Sequence, residues 1–123
     1  MSVHTRSQRL AKAAFPRVQE CHSRLTKKQF EEYVRFAKKF PALIHTCGLA
    51  QAVAFALAKE EHGYVADLTV VLQGAGHAEI TESRPLDRHS RETQLGDYLR
   101  LSRDALSAAT WLKRYVEAAG EGA

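Results

Sequence analysis

The chain has 123 residues, 45% hydrophobic and 26% charged, enough for one globular core and too few for a two-domain enzyme. Its formal net charge is +4, unevenly spread: residues 1–40 hold 10 Lys/Arg and 3 Asp/Glu, residues 41–123 hold 8 and 11. A strongly basic N-terminal third on a mildly acidic remainder suits a polyanion or an acidic partner surface. Two cysteines, Cys21 and Cys47, are too few for a disulfide framework. With no hydrophobic leader ahead of them, reduced thiols and a cytoplasmic setting are expected. The longest nearly apolar stretch, residues 42–58, contains His45, Thr46 and Gln51. It falls short of the roughly 20 apolar residues of a membrane span, so no membrane partner is expected.

The composition favours helices, rich in Ala, Leu, Glu, Arg and Lys with 3 prolines and 7 glycines and almost no β-branched runs. Leu10, Ala14, Val18, Cys21 and Leu25 recur at helical spacing, with Arg6, Arg9, Lys12, Arg17 and Arg24 on the opposite face. Pro16 should kink or break this first helix near Phe15. Thr26 and Gln29 form a capping-box signature ahead of a second stripe, Phe30, Tyr33, Val34, Ala37 and Phe40. Its outer face carries Lys28, Glu31, Glu32, Arg35, Lys38 and Lys39, with Glu31 and Arg35 spaced to pair across one turn.

Pro41 suits the first turn of a third helix. The apolar residues after it point all round the axis, predicting a central, fully covered helix over residues 41–61, from Pro41 to Glu61. Gly48 inside it would mark a close helix crossing, and His62 and Gly63 would end it. Residues 64–72 read as a fourth helix over a short buried strand. Residues 73–90, with Gly74, Gly76 and Pro85, read as one long loop. Leu95, Tyr98 and Leu99 suggest a short helix. A last helix then buries Leu101, Ala105, Ala108, Leu112, Tyr115 and Ala119, flanked by Trp111 and Val116, before Gly120 and Gly122 stop it. The predicted fold is all-α, a single-domain bundle of about five to six helices over residues 1–123.

Signals for catalysis are thin. Cys21 with His22 and His45 with Cys47 lack the turn-borne ligand spacing of a zinc site, so no metal or other cofactor is expected. Glu60, Glu61 and His62 offer an acid/base cluster, the basis for a small helical nuclease as an alternative, but no nucleophile accompanies them. The run from Leu72 to His77 has two glycines but neither the third glycine nor the Lys-Ser/Thr pair of a phosphate loop. The basic face of the first two helices is the stronger candidate. Surfaces kept merely soluble intersperse both signs, whereas residues 1–40 hold only 3 acidic side chains against 10 basic ones. Lys and Arg contacts to phosphate would give sequence-tolerant, salt-sensitive binding.

The segment Phe40, Pro41, Ala42, Leu43, Ile44, His45, Thr46, Cys47, Gly48, Leu49, Ala50, Gln51, Ala52, Val53, Ala54, Phe55 resembles the small all-helical subunit, numbered fifth, of the type III-B CRISPR (Cmr) RNA-guided effector complex. Tyr98, Leu101, Arg103, Ala105, Leu106, Trp111, Leu112 and Lys113 are similar to that family's closing Tyr to Trp-Leu-Lys pattern. Cys47 departs from it, standing where the family commonly has Asn. The resemblance implies a protein without catalytic activity, stacked in copies of itself beside other subunits of the complex along guide RNA and target RNA. It makes Pro41, Gly48, Leu49, Gln51, Phe55, Trp111 and Leu112 fold-defining, and Lys113 a phosphate contact. Arg6, Arg9, Lys12, Arg17, Lys28, Lys38 and Lys39 are candidates for phosphate contacts on charge alone. The alternative is a protein-only assembly spacer whose basic face docks an acidic neighbour.

Overall fold

A computed structural model describes residues 3–121. Helix α1 spans Arg6–Arg24 and opens on a capping box: the Thr5 hydroxyl accepts the Gln8 N–H at 3.0 Å, and the Gln8 side-chain carbonyl accepts the Thr5 N–H at 2.8 Å. It buries Leu10, Ala14, Val18 and Cys21, the stripe its spacing predicts. Of the kink or break expected near Phe15, the break does not occur. Pro16 lies within the helix on its exposed side, where water can reach the carbonyl left without a donor.

Helix α2 spans Lys27–Cys47 behind the predicted Thr26–Gln29 capping box and buries Phe30, Tyr33, Phe36, Ala37, Phe40 and Ile44. A third helix does not start at Pro41, which lies inside α2. The break comes at Gly48, whose φ of 84° and ψ of 159° belong to backbone that is essentially restricted to glycine. The predicted central helix over residues 41–61 is therefore the end of α2 followed by α3, Leu49–Ala58. Gly48 is a joint between helices, not a crossing point. Beyond it, the Tyr98 hydroxyl accepts the Ala50 N–H at 3.1 Å, capping α3 in place of a local side chain.

Nor is α3 covered on all sides: Leu49, Ala52, Val53 and Ala56 are buried, but Gln51, Ala54 and Phe55 are exposed. It ends in a Schellman turn. Glu61 N–H bonds the Ala56 carbonyl and Glu60 N–H bonds that of Leu57, with Glu60 at a φ of 60° where glycine is usual. His62 and Gly63 open the next helix instead of closing the last one. Helix α4, His62–Gly74, confirms the helical reading of residues 64–72 and buries Tyr64, Val65, Asp67, Leu68, Val71 and Leu72. The close crossing is at Gly74, where an added Cβ would lie 2.9 Å from that of Ala13.

The long loop expected over 73–90 is shorter, because α4 runs on to Gly74 and a short helix α5, Leu86–Glu92, takes its last five residues. Only Leu86 is apolar in those seven residues, too little periodicity to read. The last two expected helices are one, α6, Leu95–Glu121. It runs through Gly120, while Gly122 lies outside the described residues. Helix α6 packs against α1, α2 and α4, and so takes the central role that the sequence assigned to residues 41–61. Arg6 reaches Asp104 and Phe15 meets Tyr115, so α1 runs parallel to α6. Asp67 faces Arg17 and Cys21, and Gly74 faces Ala13, so α4 runs antiparallel to α1. One cluster of buried side chains joins all six helices, and its aromatic centre is Tyr64, ringed by Tyr33, Phe36 and Phe40 at 4.9–5.8 Å between centroids.

Candidate nucleic-acid interface

Two buried carboxylates organise the charged side chains. Asp67 of α4 accepts from Arg17 Nε at 2.9 Å, Tyr33 Oη at 2.6 Å and Cys21 Sγ at 3.2 Å, tying α1 and α2 to α4. The Asp67 bond raises the Arg17 guanidinium further above its ordinary range, and burial, with Asp67 beside it, pushes the Cys21 thiol up to about 11. Asp104 of α6 lies 2.7 Å from His77 Nε2 and 3.2 Å from Arg6 Nε. The other ring nitrogen of His77 is 3.0 Å from Glu79, which is also approached by His89 and holds its proton less readily than usual: its backbone hydrogen bond and His77 outweigh burial. Sequence reading passed over both aspartates, although each falls in an apolar stripe: Asp67 between Tyr64 and Val71, Asp104 between Leu101 and Ala108.

The predicted basic residues divide accordingly. Arg6 meets Asp104, and Arg17 meets Asp67 and, at 3.2 Å, Glu20, so both are engaged by carboxylates. Arg9, Lys12, Lys28, Lys38 and Lys39 are exposed, and Lys113 is half-buried. Helices α1 and α2 each pack more extensively on α6 than on each other, so their basic rows are held with α6, the helix of Lys113, as their common support. No ion pair joins Glu31 to Arg35 among the described residues. Arg35 lines instead a shallow hollow of about 310 Å³ with Glu32, Phe36, Lys39 and Glu61. Beside it the Phe55 ring, 37% exposed, stacks on Phe36. Phe55, expected among the fold-defining positions, thus joins the buried Phe36 to the surface.

The remaining candidates disperse. Cys21 is buried against Asp67 and Cys47 is exposed. Among the described residues no three His, Cys, Asp or Glu side chains come together as metal ligands. Glu60 forms the Schellman turn, His62 begins α4, and Glu61 turns toward Glu32 and Lys39, its carboxyl raised chiefly by burial. His77, at the end of the glycine-containing run, is spent on Asp104 and Glu79. No described helix is long and apolar enough to cross a membrane.

The model of the CRISPR-associated protein family Cas_Cmr5 matches residues 6–119. The chain belongs to the Cmr5 family. A curated relative, the CRISPR system Cmr subunit Cmr5 of Thermus thermophilus, is 34% identical over 116 residues, 94% of this chain and 96% of that protein. The crystal structure of a CRISPR-associated Cmr5 family protein from Thermus thermophilus superposes with a TM-score of 0.77 at 35% identity, covering 94% of this chain and 97% of that one. The Cmr5 match takes in all of α1 through α5 and nearly all of α6, so the resemblance seen in two segments extends over the whole bundle.

Proposed function

We propose that this chain is a non-catalytic small subunit of a type III-B CRISPR (Cmr) interference complex in the cytoplasm, stacking in copies beside the other subunits and holding guide and target RNA by its phosphates. Membership of the Cmr5 family over residues 6–119 carries the assignment to the complex. The exposed Arg9, Lys12, Lys28, Lys38 and Lys39, with Lys113, support the RNA contact. Each neutralised phosphate of a single strand releases counterions and contributes roughly −0.7 to the slope of log K against log salt. Arg6 and Arg17 contribute least in this reading, because moving to a phosphate would take from a buried carboxylate one of its charged partners. Protein contacts are supported by Phe15, Leu95 and Leu99, which are 46%, 73% and 59% exposed and suit burial against a neighbouring subunit or copy.

Fluorescence anisotropy of labelled single-stranded RNA, with the isolated protein and the assembled complex at two salt concentrations, tests the RNA contact. Reversing Lys28, Lys38 and Lys39 to Glu should weaken binding and flatten its salt slope. Unchanged affinity and slope would reject the basic-face reading. Crosslinks from α1 and α2 to protein but not to RNA would favour the protein-only spacer.

A further inference from the structure

The hollow lined by α2 and by Glu61, with Phe55 of α3 beside it, has a composition that phosphate binding does not use. Phe55 and Phe36 lie nearly parallel, 8° apart with centroids at 6.5 Å, and Phe55 opens its ring to solvent. Lys39 Nζ stands 5.5 Å from the Phe36 centroid and 6.0 Å from that of Phe55, and Lys59 Nζ stands 5.6 Å from Phe55. Both ammonium groups are thus parked at the rings, where they can exchange an aromatic face for an anion. Glu32 and Glu61 also line the hollow; burial raises the Glu61 carboxyl, and repulsion from Glu32 adds to it against the pull of Lys39.

Resting on the RNA-binding reading above, we propose that this hollow seats one unstacked RNA base, guanine in preference to the others. Three complementarities meet there. An exposed aromatic ring stacks any base, which is worth roughly five- to 150-fold in affinity per base. Lys39 and Lys59, 6.0 and 5.6 Å from the centre of that ring, supply the positive charge that the phosphates of a stacked nucleotide require once the ammonium groups swing off the ring face. The carboxylates choose the edge. Guanine presents N1–H and N2–H side by side, a pair of donors that matches the two oxygens of one carboxylate. Uracil offers the same carboxylates a single N–H flanked by two carbonyl oxygens, one donor where guanine has two, and its oxygens are left to compete for Arg35 and Lys39, which also line the hollow. A guanine donor pair also relieves the repulsion between Glu32 and Glu61, whereas an acidic peptide segment would add to it.

The test uses the full-length protein and three labelled nonamers, all-uridine, all-uridine with one central guanosine, and all-uridine with one central abasic nucleotide. Binding is followed by anisotropy for the native chain, Phe55→Leu and Glu61→Gln, with each variant's thermal unfolding as the control for folding. The native chain should bind the guanosine strand about tenfold tighter than the all-uridine strand, and the abasic strand no better than all-uridine. Phe55→Leu should abolish the guanosine advantage without changing the salt slope, and Glu61→Gln should reduce it. Salt-dependent binding that treats the three strands alike would overturn the base seat and leave the phosphate reading standing. No salt-dependent binding of any strand would overturn both. Wild-type RNA affinities in Phe55→Leu, together with weakened association with the other complex subunits, would reassign the hollow to a protein contact.

Discussion

Replacing Asp67 tests the logic of the bundle more directly than any other single change. Its carboxylate receives three donors from two other helices, at 2.6, 2.9 and 3.2 Å. Hydrogen bonds to a charged group are each worth about 1.5–3 kcal/mol, but the buried carboxylate has itself lost several kcal/mol of hydration, so the net worth of the cluster is well below their sum. Asp67→Ala leaves the buried Tyr33 hydroxyl and Cys21 thiol without an acceptor. Arg17 is only half-buried and already lies 3.2 Å from Glu20, so its charge can turn outward, which discounts the penalty usual for a stranded buried ion. The expected loss is about 3 kcal/mol. Asp67→Asn keeps one acceptor oxygen but points an N–H₂ at a remaining donor, and should cost about half as much. Urea denaturation followed by the fluorescence of Trp111, the single tryptophan, measures both. In a domain of this size 3 kcal/mol corresponds to a fall in Tm of roughly 10–15 °C. A loss below about 1 kcal/mol for Asp67→Ala, or Asn costing more than Ala, would refute the account of Asp67 as the acceptor that aligns α1 and α2 on α4.

Gly48→Ala should destabilise by about 1–3 kcal/mol, because the Gly48 backbone lies where a Cβ is strained, although the nearest side-chain atom to that Cβ, Tyr98 Oη, would be 3.6 Å away; thermal melts compare the two proteins. Glu60→Gly should stabilise by about 0.5–1 kcal/mol, the relief of left-handed backbone less the extra entropy of the unfolded chain, and an unchanged Tm would count against the Schellman assignment. In native protein one thiol, Cys47, should react quickly with a disulfide reagent, and Cys21 only on unfolding. The folded chain holds the Cys21 proton to about 11 against an ordinary value of 9.0. Stability should therefore be intact below pH 9 and decline as pH rises toward 11, since the unfolded chain releases that proton first. A Cys21→Ala variant with the same decline between pH 9 and 10 would remove the thiol from the explanation.

Periodicity made α1, the start of α2 and α4 readable, because in each a buried stripe at helical spacing outweighs every local signal. Pro41 and Gly48 misled, each for its own reason. Proline costs a helix about 3 kcal/mol, but Pro41 sits between Phe40 and Ile44, both buried, and their burial offsets the missing hydrogen bond. Gly48 in an apolar run reads equally as a packing glycine or a joint, and only its φ decides. Leu95 and Leu99 looked like a separate short helix because their turn of α6 leaves them in solvent, out of line with the buried stripe that begins at Leu101. For the candidate site, the exposed lysines were readable as a basic row. The hollow was not, since it unites Glu32, Arg35, Phe36 and Lys39 with Glu61 from beyond α3, and no linear pattern expresses that neighbourhood.

The charge split along the chain now has two separable causes. Arg6 and Arg17 belong to the basic third, and Asp67 and Asp104 to the acidic remainder; they meet as ion pairs that set α1 parallel to α6 and antiparallel to α4. Part of the asymmetry is therefore complementary charge used in folding, and only the rest can serve the proposed RNA contact. The two parts predict opposite signatures. Arg6→Gln or Arg17→Gln deprives a buried carboxylate of a partner and should lower stability by about 1–3 kcal/mol, while leaving the salt slope of RNA binding unchanged under conditions where the variant is folded. Lys12→Gln or Lys28→Gln should leave Tm within a degree or two, because an exposed lysine contributes little to folding, while reducing the slope by roughly 0.7. Urea melts and salt titrations on the same four variants make the comparison. If the arginine variants flatten the slope as much as the lysine variants do, Arg6 and Arg17 leave their carboxylates when RNA binds, and the division into folding and binding cations fails.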